Sequence, residues 1–125
     1  MCGAVAYQIH GDISEVGIYH CQRCRKANGS AYAVNASIKR ADFQLLKGET
    51  SLKEFSSSAG VKRVFCGECG APIYSKRDTD PAHYRLRLGT LDTPLRHGPS
   101  LHVFTASKAE WDVICDGLPQ YAERP

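Results

Sequence analysis

The sequence lacks the features that would place the protein in or across a membrane. None of its hydrophobic runs approaches the roughly 20 apolar residues that cross a bilayer, and its mean hydropathy is -0.34. It also begins without a basic segment followed by a long apolar one, the pattern of a secretory signal. We therefore expect a cytoplasmic protein with no membrane segment, whose cysteines meet reducing conditions.

Charge of one sign is not in excess, and aromatic residues are few. The 125 residues include 16 Lys and Arg against 13 Asp and Glu, a formal net charge of +3, and only 9% are aromatic. These values exclude an acidic disordered chain as a first interpretation and argue against nucleic acid as a partner. Because the chain is long enough to bury a core and 42% of its residues are hydrophobic, we expect one domain covering residues 1–125.

Internal repeats and low-complexity segments are also missing, and short β-like runs separated by turn residues dominate instead. From Tyr84 to Leu88 apolar and polar residues alternate, which places the tyrosine and leucines on one face and the arginines on the other. The sequence therefore predicts a mainly β fold built from antiparallel sheet. The predicted strands are Ala4 to Ile9, Val16 to Cys21, Tyr32 to Ile38, Phe43 to Lys47, Leu52 to Ser56, Val61 to Phe65, Pro72 to Ser75, Tyr84 to Leu88 and His102 to Phe104.

Helix signals occur at two places only. The run from Arg23 to Ala27 precedes Asn28 and Gly29, which are residues that commonly end a helix. Ser107 stands three residues before Glu110, the spacing of a capping box. We therefore predict one short helix after residue 22 and a second one beginning at Ser107.

Cysteine is abundant for a protein in a reducing compartment, with six residues in the chain. Four of them form two Cys-x-x-Cys pairs, Cys21 with Cys24 and Cys66 with Cys69. A two-residue spacer in a tight turn lets both sulfurs face one point, near the sulfur to zinc distance of about 2.3 Å in a tetrahedral thiolate site. The glycines around the second pair, such as Gly67, permit a turn that aims amide N–H groups at the sulfurs. The spacing therefore predicts bound zinc.

The spacing leaves two questions about these pairs open. A single Cys-x-x-Cys pair can instead be a redox pair when it lies at the start of a helix after a strand. The 41 residues from Arg25 to Phe65 also exceed the roughly 15 to 20 of a simple zinc ribbon. The two pairs can therefore share one ion or belong to separate sites.

Two residues near the end of the sequence are expected to be buried. Cys115 has no partner close in sequence and stands among apolar neighbours, where a free cysteine usually behaves as a small core residue. Trp111 is expected to pack over the sheet edge with Leu118 and Pro119. Neither residue requires a functional explanation.

The chain resembles the glutathione-dependent formaldehyde-activating enzymes and the related centromere protein V, which share a β-tent fold. The resemblance covers nearly the whole chain and depends on five blocks in the same order. These are Cys2 to Tyr7, His20 to Ser30, Arg63 to Gly70, Gly89 to Asp92, and His102 to Trp111 with Asp116 to Pro119.

The resemblance implies two zinc sites, each one cysteine short in this sequence. Carried over by position, Cys2, Cys66 and Cys69 would bind a structural ion, and Cys21 and Cys24 would belong to a catalytic one. The first cysteine of the N-terminal family motif would fall before Met1, and Tyr19 replaces the first cysteine of the middle motif. The fourth ligand could be a residue upstream, a water or a neighbouring side chain, or Cys21 and Cys24 could share the later pair's ion. A phenol with a pKa of about 10 rarely binds zinc at neutral pH.

The resemblance also implies an activity, that of a carbon–sulfur lyase acting on the adduct of glutathione and formaldehyde or on a similar thiol adduct. Arg25 and Lys26 are then candidates for binding the carboxylates of glutathione, and no catalytic residue can be named. Because of Tyr19, the alternative is a catalytically inert, zinc-stabilised binding module. A third interpretation is a thiol redox protein that uses Cys21 and Cys24.

Overall fold

Two β-sheets make up most of the structure, a computed structural model that describes residues 1–125. There are nine strands and one α-helix, with short 3-10 turns at Arg40–Asp42, Glu49–Ser51, Leu88–Thr90 and Thr105–Ser107. The strands are β1 Ala6–Ile9, β2 Val16–Tyr19, β3 Ala33–Lys39, β4 Phe43–Lys47, β5 Leu52–Ser58, β6 Val61–Cys66, β7 Pro72–Arg77, β8 Asp80–Arg87 and β9 Leu101–Val103; the helix is α1 Gln22–Asn28. The prediction of a mainly β fold is confirmed. Each predicted strand is present, β4 with the predicted ends and the others with shifted ends.

The larger sheet has seven strands in the order β5-β6-β7-β8-β3-β2-β9, and β1 pairs with β4 in a separate two-stranded sheet. Neighbouring strands are antiparallel, as the sequence predicts, except that β9 runs parallel to β2. The parallel pair joins residues more than 80 positions apart, with Ile18 opposite His102. No local turn specifies this pairing, which is why the sequence did not reveal it.

The core lies between the two sheets. Alternation along β8 and into the turn after it directs Tyr84, Leu86 and Leu88 inward, as predicted, and Leu86 is fully buried. Burial of each such side chain contributes about 1.5 to 3 kcal/mol. The ring of Tyr84 stacks on that of Tyr74 at 4.1 Å between centroids, and Phe43 of the small sheet meets both rings edge-on. These aromatic contacts fix how the small sheet packs on the large one.

The predicted first helix is confirmed as α1, and it ends where Gly29 adopts a left-handed conformation with φ of 62°. The prediction of a second helix at Ser107 is wrong. Its hydroxyl donates to the carbonyls of Phe104 and His20 instead of accepting from a helix N–H, and the chain makes only a 3-10 turn there. None of the helices has the length and apolar character that crossing a membrane demands.

The predictions that Cys115 and Trp111 are buried are also wrong. Cys115 is exposed, and Trp111 is 73% exposed. In this segment the partly buried positions are Asp112 and Ile114, so the alternation turns the intervening Trp111, Val113 and Cys115 outward. Apolar neighbours in sequence therefore did not mean apolar neighbours in space.

Candidate functional site

The structure brings together three of the predicted ligand cysteines, Cys2, Cys66 and Cys69. Their thiol sulfurs all lie within 4.8 Å of one another, and the Cys2 and Cys66 sulfurs are 3.8 Å apart. Cys66 ends strand β6, and Cys69 lies in the turn that leads into β7. The amide of Gly70, whose φ is +76°, closes this turn by donating to the Cys66 carbonyl at 2.8 Å.

The spacing of these sulfurs fits a zinc ion. Two thiolates that each lie about 2.3 Å from a tetrahedral ion are about 3.8 Å apart, which is the separation between the Cys2 and Cys66 sulfurs. Thiolates are also soft ligands that favour zinc over magnesium or calcium. Cys2, Cys66 and Cys69 can therefore supply three of the four ligands of a structural site.

Backbone amides favour the thiolate form of one of the three sulfurs, that of Cys69. Hydrogen bonding from the Ala71 amide, and then from the Cys2 amide, lowers the pKa of Cys69 to about 7. The thiolate is the form that binds a metal. At neutral pH a large fraction of Cys69 is therefore already a thiolate.

The other predicted pair is outside this cluster: Cys21 directly precedes α1, and Cys24 lies in its first turn. The two residues are joined by a disulfide with a Cα to Cα distance of 5.2 Å. Cys21 is the N-cap of α1, and its sulfur accepts a hydrogen bond from the Cys24 amide at 3.2 Å. Because disulfide sulfurs are not thiolates, these residues do not fit a zinc ion in this state. Their role as metal ligands concerns the reduced protein and stays a prediction.

Tyr19, which replaces a family cysteine, packs against its own sheet. A side-chain carbon placed on Gly17 would lie only 3.1 Å from Cε2 of Tyr19, so the ring lies over Gly17. The ring of Phe104 is next to it, at 6.4 Å between centroids. The absence of a side chain at Gly17 therefore makes room for the bulky tyrosine beside the Cys21–Cys24 motif.

Next to this motif, a chain of hydrogen bonds runs from the buried His20 to the exposed Asp116. Nε2 of His20 is 2.8 Å from Nδ1 of His102, and Nε2 of His102 is 3.0 Å from each carboxylate oxygen of Asp116. An ionised carboxylate only accepts, so His102 Nε2 carries a proton, and His102 Nδ1 accepts from His20 Nε2 when both rings are neutral. Burial, and then the neighbouring His102, lower the pKa of His20 and favour its neutral form. The sequence gave no sign that the two histidines contact each other, because 82 positions separate them.

A cleft of about 550 Å³ opens beside the cysteine motif. Arg25, a predicted carboxylate binder, lines it together with Lys108 and Trp111. Lys26, the other predicted binder, is exposed and is not part of the lining. Sequence reasoning missed Lys108 and Trp111 because they lie more than 80 residues from Arg25 and meet it only through the fold.

A larger cleft of about 770 Å³ runs along β1 and the segment from Thr90 to Arg96. The three clustered cysteines belong to its lining. The hydroxyl groups of Tyr7 and Thr90 lie 2.6 Å apart and link the small sheet to the end of β8. The sequence did not predict this cleft, because the order of the strands creates it.

Comparisons with known proteins agree with this architecture. Residues 1–107 match the sequence model of a protein family described as glutathione-dependent formaldehyde-activating enzyme. A crystal structure of a Rhodobacter sphaeroides protein is similar, with a TM-score of 0.63 and 21% sequence identity over 76% of this chain and 86% of that chain. At this identity the likeness concerns the fold alone. No curated protein matches the chain.

Proposed function

Because the chain belongs to the glutathione-dependent formaldehyde-activating enzyme family, we propose that it is a zinc-binding carbon–sulfur lyase. Its substrate would be the adduct of glutathione and formaldehyde or a similar thiol adduct. Residues 1–125 would form one zinc-binding domain, and the arrangement of two sheets around one core supports the β-tent fold that the family resemblance implies. The observation that carries the zinc proposal is the convergence of three thiol sulfurs within 4.8 Å.

The ion would be structural. Cys66 ends β6 and Cys69 lies in the turn after it, whereas Cys2 precedes β1 of the small sheet. A metal held by all three residues would join the start of the chain to the large sheet. Because such a site does not form in an unfolded chain, the free energy of metal binding adds to the free energy of unfolding.

The proposed reaction makes or breaks one carbon–sulfur bond. In the forward direction the thiol sulfur of glutathione attacks the carbonyl carbon of formaldehyde, the carbonyl π electrons move to oxygen, and the thiol proton ends on that oxygen. The lyase direction reverses each of these steps. No oxidant or reductant is consumed.

The part of the chain that supports substrate binding is the cleft beside Cys21. The guanidinium of Arg25 can bind a carboxylate through two parallel hydrogen bonds. Lys108 adds a second positive charge to the same cleft and Glu110 one negative charge, so the cleft keeps an excess of positive charge. These charges would hold a glutathione carboxylate so that its thiol lies near the cysteine motif. Lys26 would act only by attracting the anion from solution, since it does not line the cleft.

The activity can be tested on purified, reduced, zinc-loaded protein. Formaldehyde and glutathione are mixed with it, and adduct formation is followed by exchange NMR against the spontaneous reaction. We expect a rate above the spontaneous one, and a KM for glutathione that Arg25→Gln raises while kcat changes little. Arg40→Gln, an exposed arginine away from the cleft, is the matched control. A rate equal to the spontaneous one would rule out the lyase activity on this substrate.

Tyr19 favours a second candidate function, that of a catalytically inert zinc-stabilised binding module. Its ring packs over Gly17, and a phenol is a poor zinc ligand at neutral pH. This candidate predicts the same structural zinc content as the lyase but no rate above the spontaneous one. It also predicts glutathione binding that Arg25→Gln weakens.

The Cys21–Cys24 disulfide favours a third candidate, a thiol redox protein. The pair follows strand β2 and begins α1, which is where redox Cys-x-x-Cys pairs are found. Two molecules of a small thiol would reduce the disulfide, forming one external disulfide and two protein thiols. Mass spectrometry after alkylation would count the free thiols. Cycling between the two forms under mild reductant and oxidant would support this candidate, and zinc retained by these two sulfurs under mild oxidant would exclude it.

A further inference from the structure

Four arginines stand together on the face of the large sheet that is turned away from the core. Arg63 of β6 lies opposite Ser75 of β7, and Ser75 in turn lies opposite Arg85 of β8. Paired residues share a face, and so do residues two apart on one strand, which adds Arg77 of β7 and Arg87 of β8. We call these residues, Arg63, Arg77, Arg85 and Arg87, the arginine face.

The positive charge of the arginine face is hardly balanced by the protein. Only Arg85 takes part in an ion pair, with Asp80 at 3.4 Å. The opposite face of the same sheet shows how the chain balances cations elsewhere, since Lys62 and Lys76 both pair with Glu54. The arginine face has no equivalent carboxylate at its centre.

The lack of a nearby negative charge is most unfavourable for folding at Arg87, because this residue is only 4% exposed. Its guanidinium donates to three neutral acceptors: Oδ1 of Asn35 at 2.6 Å, the carbonyl of Arg85 at 3.3 Å and Oγ of Ser75 at 3.5 Å. A buried charge is normally paired with an opposite charge, since neutral hydrogen bonds do not replace its lost hydration. The charge of Arg87 therefore has no counter-ion within the protein.

The arginines also repel one another. Burial, and then the charge of Arg63, lower the pKa of Arg87 to about 10. Burial lowers the pKa of Arg63 as well, followed by the charges of Arg23 and Arg77. An anion bound among these groups would reduce their mutual repulsion and would give Arg87 a counter-ion.

We propose that the arginine face binds a small ligand that carries two or more oxyanion groups, carboxylates or phosphates, with Arg63 and Arg87 as its central contacts. Guanidinium groups bind both kinds of oxyanion through paired hydrogen bonds. The burial of Arg87 favours a small ligand over a polymer, because only a compact group can reach a side chain that is 4% exposed. Tyr19, opposite Ala33 on the same face of the sheet, adds a hydroxyl group beside this cluster. The site requires neither the zinc ion nor the lyase activity.

The test uses the full chain with three simple anions. Pyrophosphate, inorganic phosphate and succinate are titrated by calorimetry, and the melting temperature is followed in parallel, each against sodium chloride at the same ionic strength. We expect saturable binding and a higher melting temperature with pyrophosphate or succinate. The stronger of the two identifies phosphate or carboxylate chemistry, and inorganic phosphate should bind more weakly than pyrophosphate.

Variants decide whether the arginine face is responsible. Arg63→Gln and Arg77→Gln change half-buried side chains that lack an ion pair, and each should weaken binding about tenfold or more. Arg40→Gln and Arg96→Gln remove the same charge from exposed positions and should bind as the unmodified chain does. Arg87→Met should abolish binding, and Arg63→Gln with Arg77→Gln keep the proposal testable if that variant does not fold.

Three results would overturn the proposal. The first is no stabilisation by any of the three anions beyond that of sodium chloride. The second is equal weakening by the arginine-face variants and by the two controls, which would indicate non-specific charge attraction. The third is binding of a single-stranded oligonucleotide, weakened by Arg63→Gln, without binding of any small anion, because the face would then recognise a polymer.

Discussion

The thiol sulfur of Cys2 lies 3.8 Å from that of Cys66, although 64 positions separate the two residues in sequence. This contact joins the start of the chain to the end of β6, two segments that no strand pairing connects. Closing a segment of this length costs conformational entropy. A shared metal ion would offset that cost, and the contact is therefore the point at which metal content and folding should be coupled.

Replacing Cys66 or Cys69 by serine should destabilise the folded chain. Each variant removes one of three clustered thiolates, so the free energy that metal binding adds to folding is lost. We expect a melting temperature below that of the unmodified chain that no longer changes with a zinc chelator, measured by circular dichroism. Cys115→Ser changes an exposed cysteine outside the cluster and should leave both values unchanged. Unchanged melting in the Cys66 and Cys69 variants would contradict a structural ion at this site.

Tyr19→Cys should create a second zinc site under reducing conditions. The new residue would complete the spacing Cys-x-Cys-x-x-Cys with Cys21 and Cys24, and three thiolates supply charge and geometry that two do not. We expect about one additional zinc per chain in elemental analysis and a gain in glutathione-dependent formaldehyde consumption. Tyr19→Phe keeps the ring without a new ligand and serves as the control. A folded Tyr19→Cys variant with the zinc content of the unmodified chain would show that residue 19 does not face Cys21 and Cys24.

Acid should weaken the ion-pair cluster at Glu54. Hydrogen bonding from Lys76, and then the charges of Lys76 and Lys62, lower the pKa of Glu54 in the folded state. Since the unfolded carboxyl binds protons more readily, this stabilisation is fully present above a pH of about 4.5 and is lost as the pH falls through the lower folded pKa. Because the pair is largely exposed, Glu54→Gln should cost less than about 1 kcal/mol at pH 7.

Chemical denaturation at several pH values measures this effect. The difference in unfolding free energy between the unmodified chain and Glu54→Gln should shrink toward zero below pH 4. Glu49→Gln changes an exposed glutamate outside any ion pair and should show no such convergence. A difference that is independent of pH would mean that Glu54 does not act through its charge.

His102→Ala should destabilise the fold more than Asp116→Ala. Removing the His102 ring leaves the fully buried His20 without its partner at Nε2, and a buried polar group left unpaired costs about 1 to 3 kcal/mol. Asp116 is exposed, so water can replace its contact when it is truncated. Urea unfolding of the two variants compares the costs. Equal losses of unfolding free energy in the two variants would show that the hydrogen bond between the histidines contributes little to stability.

The sequence predicted the strands well because their signals are local. Alternation from Tyr84 to Leu88 identified both faces of β8, and Gly29 marked the end of α1. It also pointed to Cys2, Cys66 and Cys69 as one group through the family resemblance, and the fold brings these residues together. What each residue does as a ligand remains a prediction.

The parts that the sequence did not predict depend on distant contacts. The hydrogen bond between His20 and His102 exists because β2 pairs in parallel with β9, and nothing local encodes that pairing. The burial of Arg87 likewise follows from its neighbours on β3 and β7, whereas alternation alone placed it on an outer face. Ser107 shows the opposite error. Its spacing to Glu110 fits a capping box, but its hydroxyl donates to the carbonyls of His20 and Phe104 and no helix forms there.

The central claim, a structural zinc held by the three clustered cysteines, is tested most directly by counting zinc per chain. Elemental analysis is performed on the unmodified protein, on Cys66→Ser and on the double variant Cys21→Ser with Cys24→Ser, all purified under reducing conditions. The account predicts about one zinc per chain that is lost in Cys66→Ser and kept in the double variant. Zinc that is absent from the unmodified protein, or that is lost in the double variant and kept in Cys66→Ser, would contradict it.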